Sequence, residues 1–104
     1  SPQTLFRLPG SRMLALVYNN NPKGAQAAWA ERRPLAFAVS GDEGKTFEFK
    51  KVIEEKEHYC WSYPACRLHG QSVLLACYEW IQGNPGFFFT DFKLSIIPVS
   101  WFES

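Results

Sequence analysis

This sequence predicts an all-β fold of short antiparallel strands, and three observations predict it. Short apolar segments alternate with clusters of Gly, Pro and Asn, which favour turns. One turn, Ser40-Gly41-Asp42-Glu43-Gly44-Lys45-Thr46-Phe47, has the residue types of a tight hairpin. The two halves of the chain also repeat one another in part.

The first half of the chain contains four predicted strands, which cover residues 4–8, 13–18, 34–40 and 46–54. Pro9-Gly10 ends the first strand, and an Asn-rich segment ends the second. Ala25 to Ala30 could form one helical turn, but a polar, irregular loop is the preferred interpretation. The third and fourth strands flank the turn at Asp42 and are therefore predicted to pair as a hairpin.

The second half contains three predicted strands, at residues 62–68, 72–80 and 91–99. A charged, solvated loop precedes them. Pro64 cannot donate a hydrogen bond to a sheet, so the first of these strands is predicted to begin at an edge or a bend. A Gly-containing turn and a longer loop separate the strands, and Trp101 and Phe102 form an aromatic end.

Each residue type in the turn at Asp42 suits its position in a tight hairpin. Asp42 can accept hydrogen bonds from backbone N–H groups across the turn. Gly44 supplies a positive φ, which a residue with a side chain adopts only at a cost. Thr46 starts the return strand, and Phe47 covers the turn from its apolar side. The motif is therefore predicted to be a folding device, in which Ser40, Asp42, Gly44, Thr46 and Phe47 are structural.

A partial internal repeat relates the two halves. Residues 5–8 and 13–18 parallel residues 65–68 and 73–78, at an offset of about 60 residues. In both halves an Arg-Leu pair precedes a Gly-containing turn, and the second strand ends in Tyr. Each half offers the strand plan of a four-stranded β-propeller blade.

Composition limits the classes of function. With 104 residues and 46% hydrophobic content, the chain forms at most one small domain with an ample core. A net charge of +1 gives no electrostatic argument for nucleic acid or an anionic membrane. No apolar run reaches the length of a membrane span. The N-terminus has no signal-peptide pattern, which decides little because the chain does not begin with Met.

The three cysteines, Cys60, Cys66 and Cys77, form no Cys-x-x-Cys pair and are interpreted as small buried hydrophobes. One disulfide plus a free thiol is the alternative. Cys66 and His69 would point to opposite faces of a strand, and no second chelating pair has zinc-like spacing. The sequence therefore predicts no metal and no cofactor.

Four segments in order resemble the sialidase (neuraminidase) superfamily. The turn at Asp42 looks like its Asp-box repeat, and residues 14–20 and 33–40 are similar to the run that leads into such a box. Trp61-Ser62-Tyr63-Pro64-Ala65 resembles a Tyr-Ser-Tyr-Pro-Ala-like segment of the family, with Trp61 in place of another aromatic. Residues 74–78 and 94–102 look like the last strands of bacterial sialidase-like proteins.

The resemblance implies a six-bladed β-propeller of which this chain supplies about two C-terminal blades, approximately residues 1–57 and 58–104. A complete propeller needs about three times this length, since a blade takes roughly 40–50 residues. The chain is therefore expected to be a fragment, or the product of a truncated gene. Its open blade faces would contact missing propeller blades or cause self-association.

The resemblance also implies a chemistry. Sialidases of this pattern cleave a glycosidic bond with a Tyr nucleophile paired with a Glu, an Asp acid/base, and arginines that bind the substrate carboxylate. Tyr63 is the candidate nucleophile, with packing as its alternative role. Arg33 or Arg32 is the candidate substrate-binding arginine, with a solvated loop charge as the alternative. Arg7 and Arg67 hold equivalent repeat positions, for which a shared structural role is predicted.

The remaining partners would lie in missing blades, with Glu79 a weaker local candidate. The predicted function is therefore the C-terminal part of a sialidase-like glycoside hydrolase that acts on glycans and is inactive alone. A non-catalytic Asp-box propeller that binds carbohydrate or protein, and a truncated remnant, are the alternatives. The resemblance favours an exported bacterial protein, whereas the cysteines favour a reducing compartment.

Overall fold

The computed structural model describes residues 3–21, 34–56, 59–81 and 91–104. In these ranges the chain forms seven strands and one short helix. The elements, in chain order, are β1 (Thr4–Arg7), β2 (Leu14–Asn19), β3 (Leu35–Ser40), β4 (Glu48–Glu54), β5 (Tyr59–His69), β6 (Ser72–Ile81), β7 (Asp91–Pro98) and α1 (Val99–Glu103).

The strands form two antiparallel sheets in which neighbours in sequence are neighbours in space. The first sheet has the order β1-β2-β3-β4, and the second has the order β5-β6-β7. In the first sheet Phe6 pairs with Ala15, and Ala15 pairs with Val39. In the second sheet Cys66 pairs with Leu75. The fold is therefore all-β and antiparallel, as the sequence predicts.

One face of each sheet contributes to a shared hydrophobic core, and we call these the inner faces. Successive residues of a strand point to opposite faces, so the buried positions alternate along β2 and β6. The core is assembled from both sheets and α1, and its largest fully buried members are Trp61, Phe37, Phe102, Leu8, Leu35 and Leu75. The opposite face of each sheet is called its outer face.

The helix α1 links the two sheets at one end of the core. The Val99 N–H donates to the Gln71 carbonyl at 2.8 Å, which fixes the start of α1 on the β5–β6 turn. The Glu103 carboxylate accepts from the Ser11 N–H at 2.6 Å, on the β1–β2 turn. Lys51 of β4 donates to the Trp101 carbonyl at 2.8 Å. The helix is therefore held from both sheets.

Three features of the described structure bear on the predicted architecture. The second sheet has three strands in the described part of the chain, where a four-stranded blade was expected. The two described sheets do not close into a ring. Val99, expected at the end of the last strand, begins α1, and the predicted aromatic end at Trp101 and Phe102 is helical. Burial of Val99 and Phe102 outweighs the strand preference of this segment.

Within the described residues, no helix has the length and apolar character that crossing a membrane requires.

Candidate functional site

Tyr63 lies at a β-bulge near the middle of β5, which is an edge strand of the second sheet. Ser62 pairs with Tyr78, and the next paired residue, Ala65, is opposite Ala76. The strand therefore carries one residue more than its partner, which is the definition of a bulge. Pro64 lies in the bulge, where its missing N–H removes no ladder hydrogen bond. The bend predicted at Pro64 is thus present, inside a longer strand than the sequence indicated.

The backbone at Tyr63 is in the left-handed region, with a φ of 51°. This region costs a residue with a Cβ roughly 1–2 kcal/mol, and such residues concentrate at functional sites. The side chain remains 56% exposed, so burial does little to offset that cost. The structure therefore keeps an accessible phenol ring at a strained position.

Tyr63 is the first of three aromatic side chains in a row across the outer face of the second sheet. Its ring lies edge-on to Tyr78, with 6.2 Å between centroids, and Tyr78 lies edge-on to Phe92 at 5.8 Å. Edge-to-face contact is a favourable geometry for aromatic pairs. All three rings are substantially exposed. The row forms an aromatic surface next to the bulge, of the kind that can stack on a sugar ring.

A charged cluster occupies the inner side of the same region. The Trp61 indole N–H donates to Glu79 at 2.7 Å, and Lys93 of β7 lies 3.4 Å from the same carboxylate. Lys93 also pairs with Glu54 of β4. The hydrogen bond and the charge of Glu54, with a smaller contribution from Glu79, raise the pKa of Lys93 against the opposing effect of burial. The cluster joins the end of the first sheet to the second.

Glu79, the weaker acid candidate, is not brought beside Tyr63. Tyr78, which contacts the Tyr63 ring, and Glu79 are successive residues of β6 and point to opposite faces of the sheet. The Glu79 carboxylate is already held by an indole donor and an ammonium group. It therefore has a structural role in joining Trp61 to Lys93.

The structure describes the contacts of Arg7 but not those of the two candidate substrate-binding arginines. Arg32 and Arg33 lie outside the described residues. Arg7 forms a bidentate pair with Glu43, at 3.1 and 2.8 Å, and donates to the Arg12 carbonyl at 2.7 Å. This pair raises the pKa of Arg7 through its hydrogen bond and charge. Arg7 thus ties β1 to the turn at Asp42, a long-range role that no sequence signal indicates.

The turn between β3 and β4 is closed by a side-chain hydrogen-bond network. The buried Ser40 hydroxyl donates to Asp42 Oδ1 at 2.7 Å and accepts from the Gly44 N–H at 2.9 Å. Thr46 donates its N–H to Oδ1 at 2.9 Å and its hydroxyl to Oδ2 at 2.6 Å. Gly44 has the predicted positive φ, at 90°. Phe47, which follows the turn, is 38% exposed. Both carboxylate oxygens of Asp42 are thus engaged within the turn.

Replacement of Asp42 by Asn is expected to destabilise the protein at neutral pH and to matter less in acid. Hydrogen bonds from Thr46 and Ser40 lower the Asp42 pKa to about 2 from 3.8, so the carboxylate contributes stability above its unfolded pKa. That contribution disappears as pH falls through about 2. Urea unfolding from pH 7 to pH 2 measures the free energy of unfolding of both proteins. The difference in that free energy between wild type and Asp42→Asn should become smaller in acid.

Thr46→Val is the matched variant, because it removes the hydroxyl donor and leaves the backbone N–H in place. Its loss of stability should be smaller than that of Asp42→Asn. A gap between wild type and Asp42→Asn that stays constant down to pH 2 would show that the carboxylate charge is unimportant to the turn.

None of the three cysteines, all of which lie in the described residues, forms a disulfide. Burial, together with the charge of the neighbouring Cys77, raises the pKa of the Cys66 thiol to about 12. Burial and the nearby Glu54 and Glu79 raise the pKa of Cys77 to about 11. Both thiols are therefore protonated at neutral pH, which makes them poor nucleophiles. In the described ranges no three His, Cys, Asp or Glu side chains cluster in a way that could hold a metal.

An open cleft of about 380 Å³ lies beside α1. Leu8, Val39 and Phe102 contribute apolar lining, and Glu48, Lys50 and Glu103 contribute charged groups of both signs. Its size is within the range of small-molecule sites. The cleft contains none of the sequence-predicted substrate-binding or catalytic residues, so it is a separate feature from Tyr63.

Together these features define a two-sheet antiparallel β protein with a hydrogen-bonded hairpin turn at Asp42 and an exposed aromatic row that begins at Tyr63. Comparison with family models, curated proteins and solved structures finds no match to this chain.

Proposed function

We propose that the chain is the C-terminal part of a sialidase-like glycoside hydrolase, in which it supplies two blades of a six-bladed β-propeller. The observation that carries the proposal is the accessible, left-handed Tyr63 in its Trp-Ser-Tyr-Pro-Ala segment. The hydrogen-bonded turn at Asp42 supports it, since it joins the last two strands of a four-stranded antiparallel sheet. In this proposal Asp42 is structural and Tyr63 contacts the glycan.

In the proposed reaction the phenol oxygen of Tyr63 attacks the anomeric carbon of a sialoside. A neutral phenol approaches a carbon next to a carboxylate with less repulsion than an Asp or Glu would meet. The attack needs a base for the phenol proton and an acid for the leaving oxygen, and the proposal assigns both to parts of the hydrolase beyond this chain. Arg33 or Arg32 would bind the substrate carboxylate through a bidentate fork.

A second candidate function is carbohydrate binding without catalysis. The row of Tyr63, Tyr78 and Phe92 favours it, because exposed aromatic faces next to one another can stack on the C–H faces of a sugar. This function needs no acid or base and could be carried out by the chain alone.

The test begins with the isolated chain and a fluorogenic sialoside, for which we expect no turnover. Saturation-transfer NMR with a sialylated oligosaccharide should then show transfer from the aromatic row, and Tyr63→Ala should weaken the signal strongly. Binding without turnover supports contact of Tyr63 with the glycan. Turnover that disappears in Tyr63→Phe would overturn the proposal that the missing blades are required.

A stability comparison at position 63 tests whether the strain is retained for function. Tyr63→Gly relieves the left-handed backbone, whereas Tyr63→Ala keeps it. We expect the Gly variant to be the more stable of the two by about 1 kcal/mol, while both lose glycan binding. The reverse substitution at Gly70 measures the cost of the left-handed backbone alone, because Gly70 has a φ of 59° and open space around it. Gly70→Ala should therefore lower the free energy of unfolding. Equal stability of Tyr63→Ala and Tyr63→Gly would contradict the strain argument.

A further inference from the structure

We propose that the outer face of the second sheet is an interface at which a second copy of this chain binds, with a two-fold axis parallel to the strands. The proposal goes beyond glycan chemistry and rests on the surface of β5, β6 and β7. We call this surface the apolar face and define it by Ala65, Leu74, Ala76, Tyr78, Phe92, Leu94 and Ile96.

The strand register places these residues side by side. Ala65 pairs with Ala76 and Ala76 with Leu94, which forms one row across all three strands. Leu74 pairs with Ile96, and Tyr78 pairs with Phe92. Since the rows are adjacent and point to the same side of the sheet, the apolar face is continuous.

The face is exposed to an unusual degree. Phe92 is 66% exposed, Leu94 58% and Ile96 68%, with Tyr78 at 44%. Side chains of this size together expose on the order of 500 Å² of apolar surface. Standard-size protein–protein interfaces bury about 800 Å² per partner, and homodimer interfaces are about 65% apolar. The apolar face therefore has close to the apolar area of an interface of standard size.

The charge that β7 carries on Lys93 is directed away from the apolar face. Lys93 points to the inner side and pairs with Glu54 and Glu79. The outward positions Phe92, Leu94 and Ile96 are all apolar. These positions therefore offer no charge that would oppose the packing of a second copy against the apolar face.

The distribution of large and small side chains determines how a second copy fits. A two-fold axis parallel to the strands and over β6 sets β7 of one copy against β5 of the other. Leu94 then lies over Ala65 of the other copy, so a large side chain meets a small one. Ile96 lies over the aliphatic stem of Arg67, and the two Ala76 residues face each other near the axis. Sheets packed in this way sit about 10 Å apart.

The same geometry sets Phe92 of one copy against Tyr63 of the other. Dimerisation and contact of Tyr63 with a glycan are therefore mutually exclusive at one face. A dimer-breaking variant that adds no charge, Leu94→Ser, should bind the oligosaccharide more strongly than the wild type at the same chain concentration.

The experiment measures the mass of the isolated chain in solution by sedimentation equilibrium over a range of concentrations. The wild type should reach twice the chain mass of 11.9 kDa. Leu94→Glu places a charge in the interface and should weaken the dimer by roughly 100-fold or more. Phe49→Glu is the matched control, because Phe49 is an exposed apolar residue on a strand of the first sheet, at 50% exposure. It should leave the dimer intact.

A cross-link tests the position of the axis. Ala76→Cys places one new thiol opposite its counterpart, across sheets about 10 Å apart. That separation is too long for a direct disulfide, so a short bifunctional thiol cross-linker should yield a covalent dimer on a denaturing gel. A wild-type monomer at every concentration would overturn the proposal. So would a dimer that Phe49→Glu breaks and Leu94→Glu does not, since the first sheet would then be the interface. A Leu94→Glu variant that loses its circular dichroism spectrum is replaced by Leu94→Ser, for which a weaker but still measurable loss of dimer is expected.

Discussion

Replacement of Trp61 by Ala is expected to lower the free energy of unfolding by about 3–5 kcal/mol. Trp61 is only 1% exposed and belongs to the core shared by both sheets. Its removal leaves a large cavity, and it also takes the indole donor away from Glu79. The Trp61 carbonyl accepts from the Asn19 side chain at 3.0 Å, so the same residue also connects β5 to β2. Urea unfolding followed by far-UV circular dichroism measures the loss.

Trp61→Phe separates the two contributions. The Phe ring refills most of the cavity but cannot donate to Glu79, so a loss of about 1–3 kcal/mol is expected from the carboxylate left without that donor. Because small domains have total stabilities of about 5–15 kcal/mol, Trp61→Ala can unfold the chain outright, and Trp61→Phe then remains measurable. Equal stability of wild type and both variants would contradict the assignment of Trp61 to the core.

Replacement of Phe37 by Ala is also expected to lower the free energy of unfolding by about 3–5 kcal/mol. Phe37 is fully buried in β3, and its ring contacts Phe102 at 4.9 Å and Trp101 at 5.5 Å between centroids. The cavity would therefore open between the first sheet and α1. Phe49→Ala is the matched control: it removes the same side chain from β4, where the ring is half exposed. It should cost less than about 1 kcal/mol.

Near-UV circular dichroism gives a second readout for Phe37→Ala. The packing of Trp101 against Phe37 should be lost, so the aromatic signal should weaken even where the variant remains folded. A result in which Phe49→Ala costs as much as Phe37→Ala would show that the core is not centred between β3 and α1.

The local elements of the fold could be read from the sequence. The hairpin turn at Asp42 rests on interactions among residues 40–46, and the turn at Gly70 separates β5 from β6 where the sequence predicts it. Pro64 marks the bulge, because a residue without an N–H has few other places in a sheet. Each of these signals acts over a few residues, so no knowledge of packing is needed.

The candidate site could be predicted only in part. The resemblance points to Tyr63, but its left-handed backbone and its contact with Tyr78 depend on the bulge and the register of β6. The sequence does not predict the helix α1, because its residues favour strands and the burial of Val99 and Phe102 decides its conformation. The pairs Arg7–Glu43 and Lys93–Glu54 join residues far apart in sequence, and neither follows a local pattern.

By itself, the sequence determined the strand type, the turns and the alternation of apolar residues, because these follow from backbone preferences and from side chains a few residues apart. Only the tertiary structure decided which of the two apolar faces of each sheet became the core. Packing of the first sheet and α1 on one face of the second leaves Tyr78, Phe92, Leu94 and Ile96 on the other face exposed. The physical reason is that successive side chains point to opposite faces, so a strand with apolar residues at both sets of positions could bury either face. Burial of apolar area is gained only where a second element covers one of them.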